Sequence, residues 1–259
     1  MDGDLDIHYC TETENISNTF NSLLAKLRLM EESRQEFVSN VSHELKTPLA
    51  SMKVLADSLL VQEDAPVELY QEFMQDIAEE IDRENTIISD LLTLVKTDRK
   101  VTDLNVAATD VNEFLEQILK RLRPIAEQAN IEMVFESNRS VSAEIDTTRL
   151  SLAFSNLVEN AIKYNRENGW VRVSLDADHK FFYVKVSDSG MGIPQDSLDY
   201  IFERFYRVDK SHSREIGGTG LGLAITKSAV VAHRGAIRVQ SEMEQGTTFT
   251  VRIPLKYII

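Results

Sequence analysis

The chain has 259 residues, 42% of them hydrophobic, and a formal net charge of −14. That length can bury sizeable cores in one or two domains, and the acidic balance excludes a nucleic-acid-binding surface. The single cysteine, Cys10, excludes an intrachain disulfide framework and a cysteine-based zinc site, and it suits a reducing compartment.

The five histidines are scattered, without an HExxH pattern. No apolar run approaches the roughly 18 residues of a membrane span, and no signal peptide is visible, so the sequence reads as a soluble piece. Residues 1–15 are polar. From Ile16 the positions Ile16, Phe20, Leu23, Leu27, Met30, Arg34, Phe37 and Val41 alternate steps of four and three, with Arg34 as the charged break. A seam this narrow needs a partner helix, most simply in a parallel dimer. The stripe continues through Leu45, Pro48, Met52, Leu55 and Leu59. His43 falls on the opposite face, with Thr47 one turn further along. Pro48 cannot donate to the Glu44 carbonyl, so the helix is expected to bend or loosen there.

A second long helix is expected from Pro66, with Leu69, Phe73, Ile77, Ile81, Ile88, Leu92 and Val95 as its buried face. The short connection 61–66 makes an antiparallel hairpin, and two hairpins make a four-helix bundle with His43 outside. Residues 98–105 read as a polar hinge. Asp110 then caps a helix to about Asn130, and strands, helices and glycine-rich turns alternate to Pro254. The fold class is thus a helical hairpin followed by an α+β two-layer sandwich.

Four features of the second domain carry chemistry. Asn156 and Asn160 lie one turn apart on a helix, followed by Lys163 and Tyr164. Carboxamide oxygens can ligate a hard cation such as Mg²⁺, and a lysine can neutralise phosphate. Asp188-Ser189-Gly190-Met191-Gly192 follows a strand, so the backbone can approach a flat ligand while Asp188 accepts from an exocyclic amine. Gly218-Thr219-Gly220-Leu221-Gly222 opens a helix whose free amides suit an anion. It is neither a Walker A loop nor a dinucleotide fingerprint. Phe202 to Arg207 precedes a polar run, 208–216, that reads as a lid with Arg207, Lys210 and Arg214 available for phosphate; Phe202 and Phe205 anchor its base.

With these motifs in order, the sequence resembles the sensor histidine kinases of bacterial two-component systems over nearly its whole length. Ser42-His43-Glu44-Leu45-Lys46-Thr47-Pro48-Leu49 is similar to the phosphoacceptor H box, and Asn156 to Tyr164 to the N box. The elements beginning at Asp188, Phe202, Gly218 and Gly246 are similar to the G1, F, G2 and G3 boxes. The resemblance implies a Bergerat-type ATP site. Asn160 would ligate Mg²⁺ and Asp188 would hold adenine. Asn156, Lys163, Tyr164, Gly190, Gly192, Arg207, Gly218, Thr219, Gly220, Leu221, Gly222 and Thr248 would complete it.

It further implies phosphorylation of His43, with Glu44 accepting a ring N–H and Thr47 orienting water for a phosphatase reaction. A homodimer, an OmpR-type response regulator as partner, and no nucleic acid are expected. Residues 1–33 resemble the later part of a HAMP module with its signalling coiled coil, 34–99 the dimerisation and phosphotransfer hairpin, and 103–259 the catalytic domain. The chain then reads as the cytoplasmic portion of a bacterial membrane receptor, joined to the membrane through segments it lacks. The rival is an ATP-hydrolysing clamp, a group that resembles this one but places a glutamate base where Asn156 stands. A carboxamide cannot deprotonate water, which favours transfer to an external acceptor.

Overall fold

The computed structural model describes residues 11–61, 66–99, 104–208 and 218–257. It divides into two units, Met1–Glu84 and Asn85–Ile259, so the last turns of the second helix belong to the second unit.

Helix α1 (Thr11–Val61) is one continuous helix, and α2 spans Val67–Arg99. The helix continues through Pro48, where a bend or loosening was expected. Pro48 leaves the Glu44 carbonyl without its helical donor. Nearby, the hydroxyls of Ser42 and Thr47 turn back onto the carbonyls of Val38 and His43, at 2.9 and 3.1 Å. Pro66 precedes α2, its carbonyl accepting from the amides of Leu69 and Tyr70.

The buried stripe of α2 differs from expectation beyond Ile77. Leu69, Phe73 and Ile77 are half-buried, but Ile81, Ile88, Leu92 and Val95 are exposed. Ile87 and Leu94 are buried instead, at 4% and 2% exposure. The pairs Ile87-Ile88, Leu91-Leu92 and Leu94-Val95 put two adjacent apolar stripes on one helix, and periodicity cannot choose between them. The expected hinge also begins later, because α2 continues to Arg99. The connection 100–103 and the hairpin turn 62–65 lie outside the described residues.

In the second unit a five-stranded sheet carries the site. Its strands are β2 (Glu132–Ser137), β4 (Trp170–Ala177), β5 (Phe181–Asp188), β6 (Ala236–Glu242) and β7 (Gly246–Pro254), in the order β2-β4-β5-β7-β6. Only β2 and β4 pair in parallel. Helices α3 (Val111–Gln128), α4 (Thr147–Lys163) and α5 (Gly222–Ala232) form the second layer. Residues at alternate strand positions, Val171, Val173 and Leu175, and Phe182, Val184 and Val186, meet Leu115, Ile118, Phe154 and Leu157 of the helices in one core. Two strands were not anticipated: β1 (Ala107–Asp110) and β3 (Ser142–Ile145) form a separate antiparallel ribbon. Four residues each is too short for a period to register.

The starts of α3 and α4 follow from side-chain caps. Asp110 accepts from the amides of Asn112 and Glu113, and Asp146 from that of Arg149. The second Asp146 oxygen takes the amide of Asn105 at 3.0 Å. The Asp146 amide in turn donates to His233 Nε2 at 3.0 Å, while His233 Nδ1 donates to the Ala229 carbonyl at 2.8 Å. This pairing needs the neutral imidazole, and burial accordingly pushes the His233 pKa below its ordinary value.

Candidate nucleotide site

The second unit holds a cavity of about 530 Å³. Eleven of the residues anticipated for the site line it: Asn156, Asn160, Lys163 and Tyr164 from α4, Asp188 and Gly192, Arg207, and Gly218, Thr219, Gly220 and Gly222. Gly190, Leu221 and Thr248 stand behind its wall, and His43, Glu44 and Thr47 are on α1 in the first unit.

At one end Asp188 closes β5. Its Oδ1 accepts from the amides of Gly190 (2.9 Å) and Thr247 (3.1 Å). Oδ2 makes no hydrogen bond among the described residues and is open to a donor. Burial pushes the carboxyl pKa up, and the two amides oppose that shift. Gly190 is glycine of necessity, since a Cβ there would lie 2.3 Å from the Tyr164 carbonyl oxygen. Met191, Ile193, Ile201 and Phe249 give this end apolar walls. Thr247 lines the cavity where Thr248 had been expected. Neighbours on a strand point to opposite faces, and the Thr248 hydroxyl donates to Ser187 at 2.9 Å.

At the other end the glycine loop is tethered on several sides. Gly220 has φ +69°, and its carbonyl accepts from the Phe205 amide at 2.9 Å. A Cβ at Gly220 would come within 2.8 Å of the Phe205 backbone. Phe205 is buried, and the Phe202 ring meets Phe249 edge-on at 6.3 Å. Phe202 and Phe205 stand where the chain enters the expected lid and do not line the cavity. Residues 209–217, which include Lys210, Arg214 and all of the expected lid but Val208, lie outside the described residues.

Asn156 Nδ2 donates to the Gly222 carbonyl at 3.0 Å, which ties α4 to the start of α5. Among the described residues no side chain caps α5, and the amides of its first turn have no partner within the helix. Leu221 is not available in that way, because its amide goes to Thr219 Oγ1 at 3.2 Å. Lys163 and Tyr164 flank Gly218: a Cβ there would lie 3.6 Å from the ammonium and 3.2 Å from the phenol oxygen. Burial raises the Tyr164 pKa, and the charge of Arg207 draws it back down. The Asn160 carboxamide lines the cavity and makes no side-chain hydrogen bond among the described residues.

On α1, His43 is exposed and Glu44 half-buried. No hydrogen bond joins the Glu44 carboxylate to the His43 ring, as expected for neighbours on a regular helix. Sequence reasoning missed Thr86, Asp90, Glu159 and Thr247, all of which line the cavity. Strand alternation could have separated Thr247 from Thr248; nothing in the spacing points to Asp90.

Residues 145–257 match the model of the histidine kinase-, DNA gyrase B- and HSP90-like ATPases. Residues 33–100 match that of the His Kinase A (phospho-acceptor) domain. The chain belongs to the sensor histidine kinases. The sensor histidine kinase WalK of Bacillus subtilis is 37% identical over 230 residues, which are 88% of this chain and 38% of WalK. The chain therefore spans less than half the length of that relative. Full-length ShkA, a structure in complex with AMPPNP, superposes with a TM-score of 0.64 at 26% identity, covering 86% of this chain and 46% of ShkA. The Acinetobacter baumannii histidine kinase AdeS shares the fold, with a TM-score of 0.64 at 24% identity over 82% of this chain and 98% of AdeS. No helix among the described residues is long and apolar enough to cross a membrane.

Proposed function

We propose that this chain is an ATP-dependent autokinase that phosphorylates His43 and passes the phosphoryl group to an aspartate of a response regulator, here of OmpR type. The observation that carries the reading is the cavity itself. An open carboxylate oxygen of Asp188 lies at its apolar end, and the glycine loop leading into α5 lies at the other, with Lys163 beside Gly218. That is a site for a base bearing an amine and for a phosphate chain.

A lone pair on a neutral ring nitrogen of His43 attacks the γ-phosphorus. The bond from that phosphorus to the bridging oxygen breaks, ADP leaves, and the second ring N–H is held by Glu44 once the side chains reorient. Lys163, Arg207 and the α5 amides balance the phosphate charge. The residues present suit Mg²⁺: Asn160 offers an uncommitted carboxamide oxygen, and the ion would supply charge neutralisation at the phosphates. Asn156, an amide bonded to Gly222, provides no base for water, which disfavours the hydrolytic clamp.

The same reading takes residues 1–33 as the end of a HAMP module and its coiled coil, 34–99 as the dimerisation and phosphotransfer hairpin, and 103–259 as the catalytic domain. It places the chain on the cytoplasmic side of a membrane receptor. The exposed seam on α1 supports a homodimer, and Thr47 serves dephosphorylation of the regulator. Labelling with γ-³²P Mg-ATP tests the core claim. Wild type is expected to acquire an acid-labile, base-stable label that His43→Gln lacks. A label persisting in His43→Gln would move the acceptor, and free phosphate as the only product would favour the clamp.

A further inference from the structure

The cavity has one wall that the nucleotide reading does not use. Asp90, on the part of α2 that belongs to the second unit, lines it together with Thr86. Asp90 Oδ2 accepts from the Thr219 hydroxyl at 2.7 Å, within the range of charge-assisted O–H···O⁻ bonds. Thr219 Oγ1 also accepts from the Leu221 amide. The hydroxyl is thus engaged as donor and as acceptor, and it has no proton left for a phosphate.

We infer that Asp90 is a specificity-determining residue of the nucleotide cavity, which sets a carboxylate against the terminal phosphate at the glycine loop and so reduces the preference for ATP over ADP. This rests on the nucleotide-site reading above. Three observations carry it. The Asp90 carboxylate borders the same cavity as Gly218, Gly220 and Gly222. It takes the one side-chain donor that the segment 218–222 possesses. And it does not act alone: Glu159 also lines the cavity, and the two carboxylates repel. Lys163 and Arg207 draw phosphate in, while Asp90 and Glu159 oppose each added negative charge. A carboxylate and a phosphate a few ångströms apart in a partly desolvated cleft repel strongly enough to change affinity roughly five- to tenfold.

The test measures Mg-ATP, Mg-ADP and adenosine binding by the full chain, for wild type, Asp90→Asn, Asp90→Glu and Thr219→Val. Asp90→Asn is expected to tighten ATP binding roughly five- to tenfold, ADP less, and adenosine not at all, with the ATP gain shrinking at high salt. Asp90→Glu keeps the charge and is expected to keep the wild-type ATP-to-ADP ratio. Thr219→Val frees the loop but keeps the carboxylate, so its ATP-to-ADP ratio should stay near that of wild type. Unchanged adenosine affinity reports an intact fold. An equal change for all three ligands, or weaker ATP binding in Asp90→Asn, would overturn the inference and leave the nucleotide site standing. No binding of ATP or adenosine by wild type would instead overturn the function reading.

Discussion

Along α1 the residues Ile16, Leu23, Leu27 and Met30 are each more than half exposed, whereas Phe154 and Leu157 on α4 stand at 1% and 0%. Both sets are apolar and both lie on helices. On α4 the five-stranded sheet covers the apolar face, so the second unit completes its own core. The first unit leaves a heptad stripe uncovered, and the narrowness of that stripe matches a second helix rather than a sheet. The contrast separates a region whose apolar faces are covered by its own contacts from one whose apolar stripe is left exposed. It also separates the proposed chemistry: His43, the proposed acceptor, is on the first region, and the cavity proposed for nucleotide is in the second.

The largest expected effect concerns the two cores. Phe154→Ala should destabilise the second unit by about 3–5 kcal/mol, with a midpoint independent of protein concentration. Leu23→Ala should instead shift a transition that depends on concentration and leave the second unit in place. Thermal melts of the full chain over a range of concentrations check both, and a Leu23→Ala effect that ignores concentration breaks the comparison. Next comes Asp188→Asn, which exchanges an acceptor-only carboxylate for an amide. It should weaken ATP binding by roughly 10- to 100-fold and reduce His43 labelling without altering oligomeric state, as seen by titration and light scattering. Wild-type ATP affinity in that variant would remove Asp188 from the base-binding end.

A smaller effect is expected from acid. Burial lowers the His233 pKa in the folded state, so below about 6.5 the unfolded chain takes up its proton first. Stability is therefore full above that pH and falls as pH drops toward the folded value. Asp178, held down to about 2 chiefly by the Lys180 amide, loses its contribution only at far lower pH. The half-buried carboxyls of Asp90 and Asp188 have raised pKa values and act with the opposite sign. Comparing the second unit's midpoint at pH 7.5 and 5.5 in wild type and His233→Gln isolates the histidine, and equal shifts in both would sink the assignment. The smallest change in stability, under about 0.5 kcal/mol, is expected for exposed Thr47→Ala. Autophosphorylation should survive in it while dephosphorylation of the regulator is lost; if both activities persist, Thr47 has no such role.

Much of the site was legible because its residues sit on elements with strong periods. Asn156, Asn160 and Lys163 follow the helical repeat of α4, and Asp188 ends an alternating strand. Failures came where local pattern is degenerate. Thr247 and Thr248 are chemically alike, and only the register of β7 against β5 assigns them. The doubled apolar pairs of α2 left its stripe open, and the ribbon of β1 and β3 was too short to see.

Spacing alone pointed to a helical seam that seeks a partner, an outward His43, and glycine-framed stretches suited to an anion and a base. Each depends on side-chain direction within one element, which the backbone period dictates. Three further features required contacts between residues far apart in the chain: the Asp90 hydrogen bond to Thr219, the neutral His233 beneath Asp146, and the Asn156 tie to Gly222. Such pairs belong to no period. They form because packing brings a donor and an acceptor together away from water, where leaving either unpaired is costly.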